Sequence, residues 1–479
     1  MSTLKRTLAL LSALAITSVS FAACGGDEES TSGSTSTPAS TSDAASTPAG
    51  DSSAEAGDSS SEGEVMPEGV TLSTDTIDYV SEEGTLTILT WTPDDATPMI
   101  DQYKASSGNA NVEYVRQGDG GGAAAGLYPE FLLGGNEVDV FMAEADWILD
   151  FANSEYAKPL SEVGITVDDL ANCYDYTVSI GMNGDELYAA SWQACAGGFV
   201  YNNALAEEYL GVTDGAAMQE KIGTWDGFKA TAAELDEASG GTVDICASLG
   251  GLWQVYAANR TEAWVTSDNK LNVAEAEGFV TLAKELVDNG YVDGTVGQWS
   301  DGWYAQGTTG AALGYFGSTW CLKEVGGQLA SWQGETGDWT LVNGPQAFCW
   351  GGTWLLVANQ CNNMGMAGDF IKTFCVNEQE IYKYATTVKD FVNNKNVMTY
   401  ILENDDTQNA LLGGQNHFEV LYDSAAGIDM DGLITDKDAK IKSSFLDAVT
   451  KYVNGEADDW SEPFQDAVAE IYPDELVWE

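Results

Sequence analysis

TLTILTW, residues 85–91, alternates apolar and threonine positions and is rich in β-formers, which predicts a strand. Working outward, residues 98–106 predict a helix and NVEYVR (111–116) a second strand. A glycine-rich turn at 118–122 leads to a helix through Leu133, and EVDVFM (137–142) reads as a third strand, apolar enough to be central. Strands alternating with helices predict right-handed βαβ units on a mostly parallel sheet, an α/β fold. Ligands in such sheets sit past the carboxyl ends of the strands. That rule singles out residues 91–95, 119–122 and 143–147. The glycines at 120–122 lack the Lys and Ser/Thr of a phosphate loop and do not spell G-x-G-x-x-G, so they read as a plain strand-to-helix turn.

Further along, residues 186–190 and 198–201 predict two strands around Trp192. TWDGFKATAAEL (224–235) opens on a Thr cap and keeps helical spacing. A long helix is expected over 274–289, stopped by Gly290. Residues 304–316 hold a glycine turn and a strand that leads to Trp320, and 339–342 and 353–358 predict strands. Residues 369–380 predict a helix, and the last hundred residues alternate helices with polar turns.

The amino-terminal end carries a different signal. Lys5 and Arg6 precede an apolar run over 8–19, and small residues then lead to Cys24 in SFAACGG (20–26). A basic start, a short apolar core and small residues form a secretory signal peptide over 1–23. About 12 apolar-leaning residues are too few to span a bilayer. The small residues and Cys24 resemble a bacterial lipoprotein lipobox, which implies cleavage before Cys24 and lipid on its sulfur. Residues 24–69 then form a linker; 25–64 hold no aromatic, Lys or Arg. Such a stretch buries too little apolar surface to offset its ordering entropy. About 40 flexible residues span on the order of 35–40 Å.

Roughly 400 residues remain, enough for two lobes rather than one core. The chain holds 75 acidic and 19 basic residues, a formal net charge of −56. That balance excludes nucleic acid and anionic lipid as partners. Beyond Cys24 there are seven cysteines, an odd number with no C-x-x-C, and the lone His417 has no Cys or His nearby. No metal or cofactor site follows from them. One or two disulfides and buried thiols are both compatible with the spacing.

The order of several motifs resembles the family 1 extracellular solute-binding proteins, the maltose-binding-protein-like receptors of ABC importers. YPEFLLGGNEVDVFMAEADW (128–147) resembles the family's helix, strand and first binding loop. YAKPLSEVGI (156–165), DELYAASWQACAGGFVYNNALAEEY (185–209), TWDGFKATAAEL (224–235) and GTTGAALGYFGSTW (307–320) follow in family order. The match runs over residues 84–415 and departs at 316–320, where Gly-Ser-Thr-Trp replaces Gly-Pro-Trp. The resemblance implies a two-lobe periplasmic-binding-protein-like fold of type II, each lobe a mostly parallel sheet flanked by helices. Crossings between lobes fall near 194–198, 344–349 and 395–399. Lobe 1 is then 84–194 plus 349–395, and lobe 2 is 197–344 plus 398–479. It also implies a monomeric receptor, permease subunits and an ATPase as partners, no enzymatic activity, and a place on the outer face of the cytoplasmic membrane.

Fifteen tryptophans are many for this length. A sugar ring offers an apolar C–H face and a rim of hydroxyls, so it asks for flat aromatic platforms beside acceptors. Trp91, Trp147, Trp192, Trp253, Trp264, Trp320 and Trp350 fall where this reading puts cleft-facing loops, with Asp94, Glu144 and Asp146 as acceptors. Trp225, Trp299 and Trp303 read as core residues, and His417 as a residue without a chemical role. The expected function is capture of an oligosaccharide between the lobes for an ABC importer. Two other readings stay open: a surface glycoside hydrolase, and a receptor for a cationic solute such as a polyamine.

Overall fold

The computed structural model describes residues 69–81, 83–258, 260–322, 337–473 and 476–478; the leader, Cys24 and most of the linker lie outside them. Strand β1 (Leu86–Thr90) is buried along its whole length. Helix α1 (Pro93–Ser107) begins earlier than expected, because Pro93 suits a first helical turn and Asp94 and Asp95 favour its positive end. Strand β2 (Val112–Arg116) and helix α2 (Gly121–Leu133) fall where the spacing puts them. Strand β3 spans Val140–Glu144, later than the apolar run suggests. Asp139 explains the shift. Its carboxylate accepts from Thr87 N and from the backbone of Asn362 and Asn363, so it anchors the strand's foot.

The chain continues through β4 (Ala157–Lys158), β5 (Ala189–Ser191) and β6 (Gly197–Asn202). Helix α3 (Trp225–Ser239) is capped by Thr224, whose hydroxyl accepts from Gly227 N. Then come α4 (Leu249–Ala257), α5 (Glu277–Asp288), α6 (Asp301–Thr309), β7 (Gly314–Ser318), β8 (Trp339–Val342) and β9 (Thr353–Ala358). The expected helix over 369–380 is two helices, α7 (Met364–Cys375) and α8 (Glu378–Val388), broken where Asn377 caps the second. Helices α9 (Lys395–Asn404), α10 (His417–Ala426), α11 (Asp438–Val453) and α12 (Ser461–Ile471) complete the described helices used below.

Two larger sheets form beside two of two strands each, and neither larger sheet is mostly parallel. The first runs β2-β1-β3-β9-β4, with β5 also on β9. Only β2-β1-β3 are parallel; β9 runs against β3, with Thr353 opposite Glu144. The second sheet, β7-β6-β8, is antiparallel throughout. Chain direction explains the correction. β9 enters the first sheet from the seam between the halves, the end at which β3 finishes. β6 likewise enters the second sheet from the seam, while β7 and β8 run back toward it.

Two passes between the sheets lie side by side. Ala196 bridges Cys349, Gly197 N donates to Phe348 O at 2.9 Å, and Trp350 N donates to Cys195 O at 3.1 Å. Gly352, with φ 93°, is required here, because a Cβ would sit 1.9 Å from Cys195 Sγ. Residues 395–399, where a third crossing is expected, open α9, capped by the Asn394 side chain on Val397 N. The chain reaches the second sheet with α10, which packs on β6 and β8. One core fills the first half and runs on into the second at Val200, Trp303, Tyr315 and Trp339, and an aromatic-rich second core gathers α3, α4, α5 and α11. Six of the seven described cysteines are buried and Cys349 is half-buried; burial pushes the Cys173 thiol up to about 12.

Candidate functional site

Three chain ends meet at the seam: the end of β3, the glycine loop before β9 and the end of β7. Ala145 N donates to Gly352 O at 3.3 Å, so Glu144 and Asp146 are set beside Trp350 and Gly351. A cavity of about 70 Å³ lies there, lined by Glu144, Asp146, Gln254, Arg260, Trp350, Asp438 and Lys442 among others. Its walls come from both halves, since α4 and α11 belong to the second core. Ligand pockets run to roughly 300–1,000 Å³. The enclosed space is well below that range, too small for a chain of sugar rings.

One wall is aromatic. Trp320 Nε1 donates to Trp350 O at 2.9 Å, and the two rings meet edge to face at 5.2 Å. Trp299 lies 5.6 Å from Trp320 and 5.9 Å from Trp350, and rests on Trp303 at 4.8 Å. Trp303 is 1 % exposed, but Trp299 is 45 % exposed. Trp299 also has φ 67°, a left-handed conformation that costs a bulky residue about 1–3 kcal/mol.

The opposite wall is ionic. Lys442 Nζ meets Asp146 Oδ1 at 2.5 Å across the seam. Arg260 Nη2 meets Asp438 Oδ2 at 2.5 Å in a fully buried pair. Such a pair is tolerated when most of its remaining donors and acceptors are used; Arg260 Nε alone of its nitrogens and oxygens has no partner among the described residues. Arg260 donates to Ala257 O and Leu433 O, and Thr435 donates to Asp438 through its hydroxyl and backbone N–H. The Trp264 ring lies 5.2 Å from the guanidinium. Burial still raises the Asp438 carboxyl, against the pull of Arg260. Burial, and then the Asp146 charge, push the Glu144 carboxyl up to about 7, with Lys442 opposing. Two cations thus face two paired carboxylates, and Glu144 is poised between charged and neutral. In a chain of formal charge −56 this cavity is close to charge-balanced. Such a site suits a neutral solute with an apolar face and hydroxyls.

The residues expected to bind ligand divide into three groups. Glu144, Asp146 and Trp350 line the cavity, and Trp320 is bonded to Trp350. Trp91 and Trp147 are half-buried against the first core, and Asp94 is an exposed residue in the first turn of α1. Trp192, Trp253 and Trp264 are core residues, 0, 2 and 3 % exposed. Trp253 stacks on Phe445 at 4.8 Å and packs on Phe279 at 4.9 Å, leaving no free face for a ligand. Arg260, Asp438, Lys442 and Gln254 were not expected. The two ion pairs join residues 178 and 296 positions apart, so no local spacing marks them. Among the described residues no group of three or more His, Cys, Asp or Glu is placed to hold a metal ion.

A two-lobed α/β molecule with a polar, aromatic-walled cavity at its seam defines a solute-binding receptor. Residues 98–412 match the family described as bacterial extracellular solute-binding protein, and the chain belongs to it. No curated protein matches the chain in sequence. Solved structures show the same fold. A family 1 extracellular solute-binding protein is 17 % identical, with TM-score 0.68, over 81 % of this chain and 98 % of that one. The ABC transporter associated binding protein from Bifidobacterium animalis subsp. lactis, in complex with beta-1,6-galactobiose, is 18 % identical, with TM-score 0.66, over 83 % and 100 %. The GacH receptor of Streptomyces glaucescens, solved unliganded and with acarbose, is 16 % identical, with TM-score 0.62, over 82 % and 100 %.

Proposed function

We propose that the protein captures a neutral oligosaccharide at the seam and delivers it to an ABC importer. The charge-balanced cavity beside the Trp350–Trp320–Trp299 wall carries this reading. Of the three carboxylates that line the cavity, Asp146 and Asp438 are each committed to a cation, and burial pushes the third, Glu144, up to about 7, toward its neutral form. Sugars bound to receptors of the same fold support it. Residues 84–194 with 349–395 form lobe 1, and 197–344 with 398–479 form lobe 2. Ligand settles on the aromatic wall while the cleft is open, and the closed form is the one the permease subunits and their ATPase recognise. A ligand shifts that equilibrium only by its differential affinity for the two states.

In this reading residues 1–23 are a signal peptide, cleaved before Cys24. Lipid on Cys24 and the linker over 24–69 tether a monomeric receptor to the outer face of the membrane. A thermal-shift screen against malto-, cello-, xylo- and manno-oligosaccharides, with spermidine as the cationic comparison, tests the ligand class. One neutral series raises the melting temperature and leaves the glycan uncut, and spermidine does not. A shift with spermidine alone, or release of shorter glycan, overturns the reading.

A further inference from the structure

Residues 427–438 read GIDMDGLITDKD and run from the end of α10 to the first residue of α11. A helix, a loop and a helix, with aspartates at the third and fifth loop positions, a glycine at the sixth and a carboxylate at the last, form the frame of an EF-hand calcium loop. Gly432, at the sixth position, has φ 69°, the left-handed turn that frame requires. Two positions depart from it. Gly427 stands where the first aspartate ligand belongs, and Asp438 takes the place of the closing glutamate. Asp429 and Asp431 are exposed, and Asp438 is buried. The loop therefore turns a single carboxylate inward, which is too little charge to hold a divalent ion.

A guanidinium from elsewhere in the chain occupies the inward side. Arg260 Nη2 donates at 2.7 Å to Leu433 O, the backbone carbonyl of the seventh position, from a residue 173 positions away. The same nitrogen donates at 2.5 Å to Asp438 Oδ2, on the last position. In an EF-hand those two positions grip the metal. Thr435, at the ninth, donates its hydroxyl to the other oxygen of Asp438. One positive charge with planar donors matches one carboxylate and one carbonyl. We infer that Arg260 is the resident cation of this loop: its guanidinium stands where an EF-hand holds calcium, and it sets the loop and α11 against the seam cavity. Met430, Ile434, Thr435 and Lys442 line that cavity beside Arg260 and Asp438. Arg260 is thus a positioning residue that holds a wall in place, rather than a free charge for a ligand. Its effect on ligand rests on the oligosaccharide reading; the assignment of the cation does not.

Melting of the full mature chain in calcium, in magnesium and in EDTA, at matched ionic strength, tests the inference. About 10 mM of each ion exceeds the millimolar constants of weak extracellular calcium modules. The wild type melts at the same temperature in all three, because its cation position is filled. Arg260→Ala leaves Asp438 buried and unpaired, so it melts several degrees lower in EDTA. Calcium restores at least half of that loss by turning Asp429 and Asp431 inward, and magnesium, which demands a stricter geometry, does not. Arg260→Ala with Asp438→Asn gains nothing from calcium. An Arg260→Ala variant that calcium does not raise, a double variant raised as much, or a wild type raised as much overturns the inference. Should Arg260→Ala not stay folded in EDTA, refolding from urea decides: folding with calcium alone supports the inference, and failure with and without calcium overturns it. The neutral oligosaccharide that stabilises the wild type binds Arg260→Ala at least tenfold more weakly in EDTA, and calcium returns the affinity to within about threefold. A wild type that binds no oligosaccharide overturns the sugar reading and leaves the melting comparison to decide this one.

Discussion

Lys442 Nζ lies 2.5 Å from Asp146 Oδ1, and this pair ties helix α11 of the second core to the turn that ends β3 of the first. In the short helix that follows the turn, burial pushes the Asp150 carboxyl up to about 6, with Lys440 and Lys437 pulling it down and Asp436 pushing it up. The two halves are therefore drawn together by charge around a cavity too small for a sugar chain. Ligand entry has to part them.

Lys442→Met weakens that latch. The pair is partly solvated, so its worth is on the order of 1 kcal/mol or less, enough to shift a near-balanced opening equilibrium severalfold. Small-angle scattering of the ligand-free variant is expected to give a larger radius of gyration than the wild type. The wild type in about 1 M salt, where charges are screened within about 3 Å, moves the same way. Identical radii in all three samples contradict the latch.

Glu144 sets a pH dependence. Its folded pKa of about 7 lies above its ordinary 4.5. The folded state therefore holds the proton more tightly than the unfolded state, and stability falls as pH rises from 4.5 through 7. Glu144→Gln removes the charge that is costly to bury. Its melting temperature is expected to exceed the wild type's at pH 8, and the difference to vanish near pH 4.5. A difference independent of pH excludes this origin.

Trp253 separates core from site. Fully buried on Phe445 and Phe279, its truncation to Ala costs about 3–5 kcal/mol. Denaturant unfolding is expected to show that loss, while sugar affinity of the folded fraction stays within about twofold because no ligand contact is removed. A variant of undiminished stability that no longer binds places Trp253 in the site instead.

Cys24→Ser tests the anchor. The wild type is expected in the membrane fraction and the variant in the medium, by fractionation of expressing cells. Equal partition of both removes lipid from the account.

Elements with local signals were legible in the sequence. β1 and β2 show as alternation, and α3 as Thr224 ahead of a helical run. Strand direction was not, because it depends on which end of a sheet the chain enters after crossing the seam. β9 is apolar like a parallel core strand yet runs against β3. The foot of β3 was misjudged because Asp139 spends its carboxylate on three backbone N–H groups, which no periodicity reveals. Glu144 and Asp146, singled out by their place at a strand's carboxyl end, and Trp350, singled out by the glycines after it, all line the cavity. Tryptophan itself is ambiguous: the same side chain fills a core at 253 and 192 and walls a cavity at 350. The pairs Arg260–Asp438 and Asp146–Lys442 become visible only once the chain is folded.

Trp350 joins the enclosed cavity to the indole wall, so its removal tests the central claim most directly. Calorimetry of Trp350→Ala against the wild type, with the neutral oligosaccharide that stabilises the wild type, is the measurement. At least a tenfold loss of affinity with cooperative unfolding retained is expected. Equal affinity in the two proteins contradicts a sugar site at this seam.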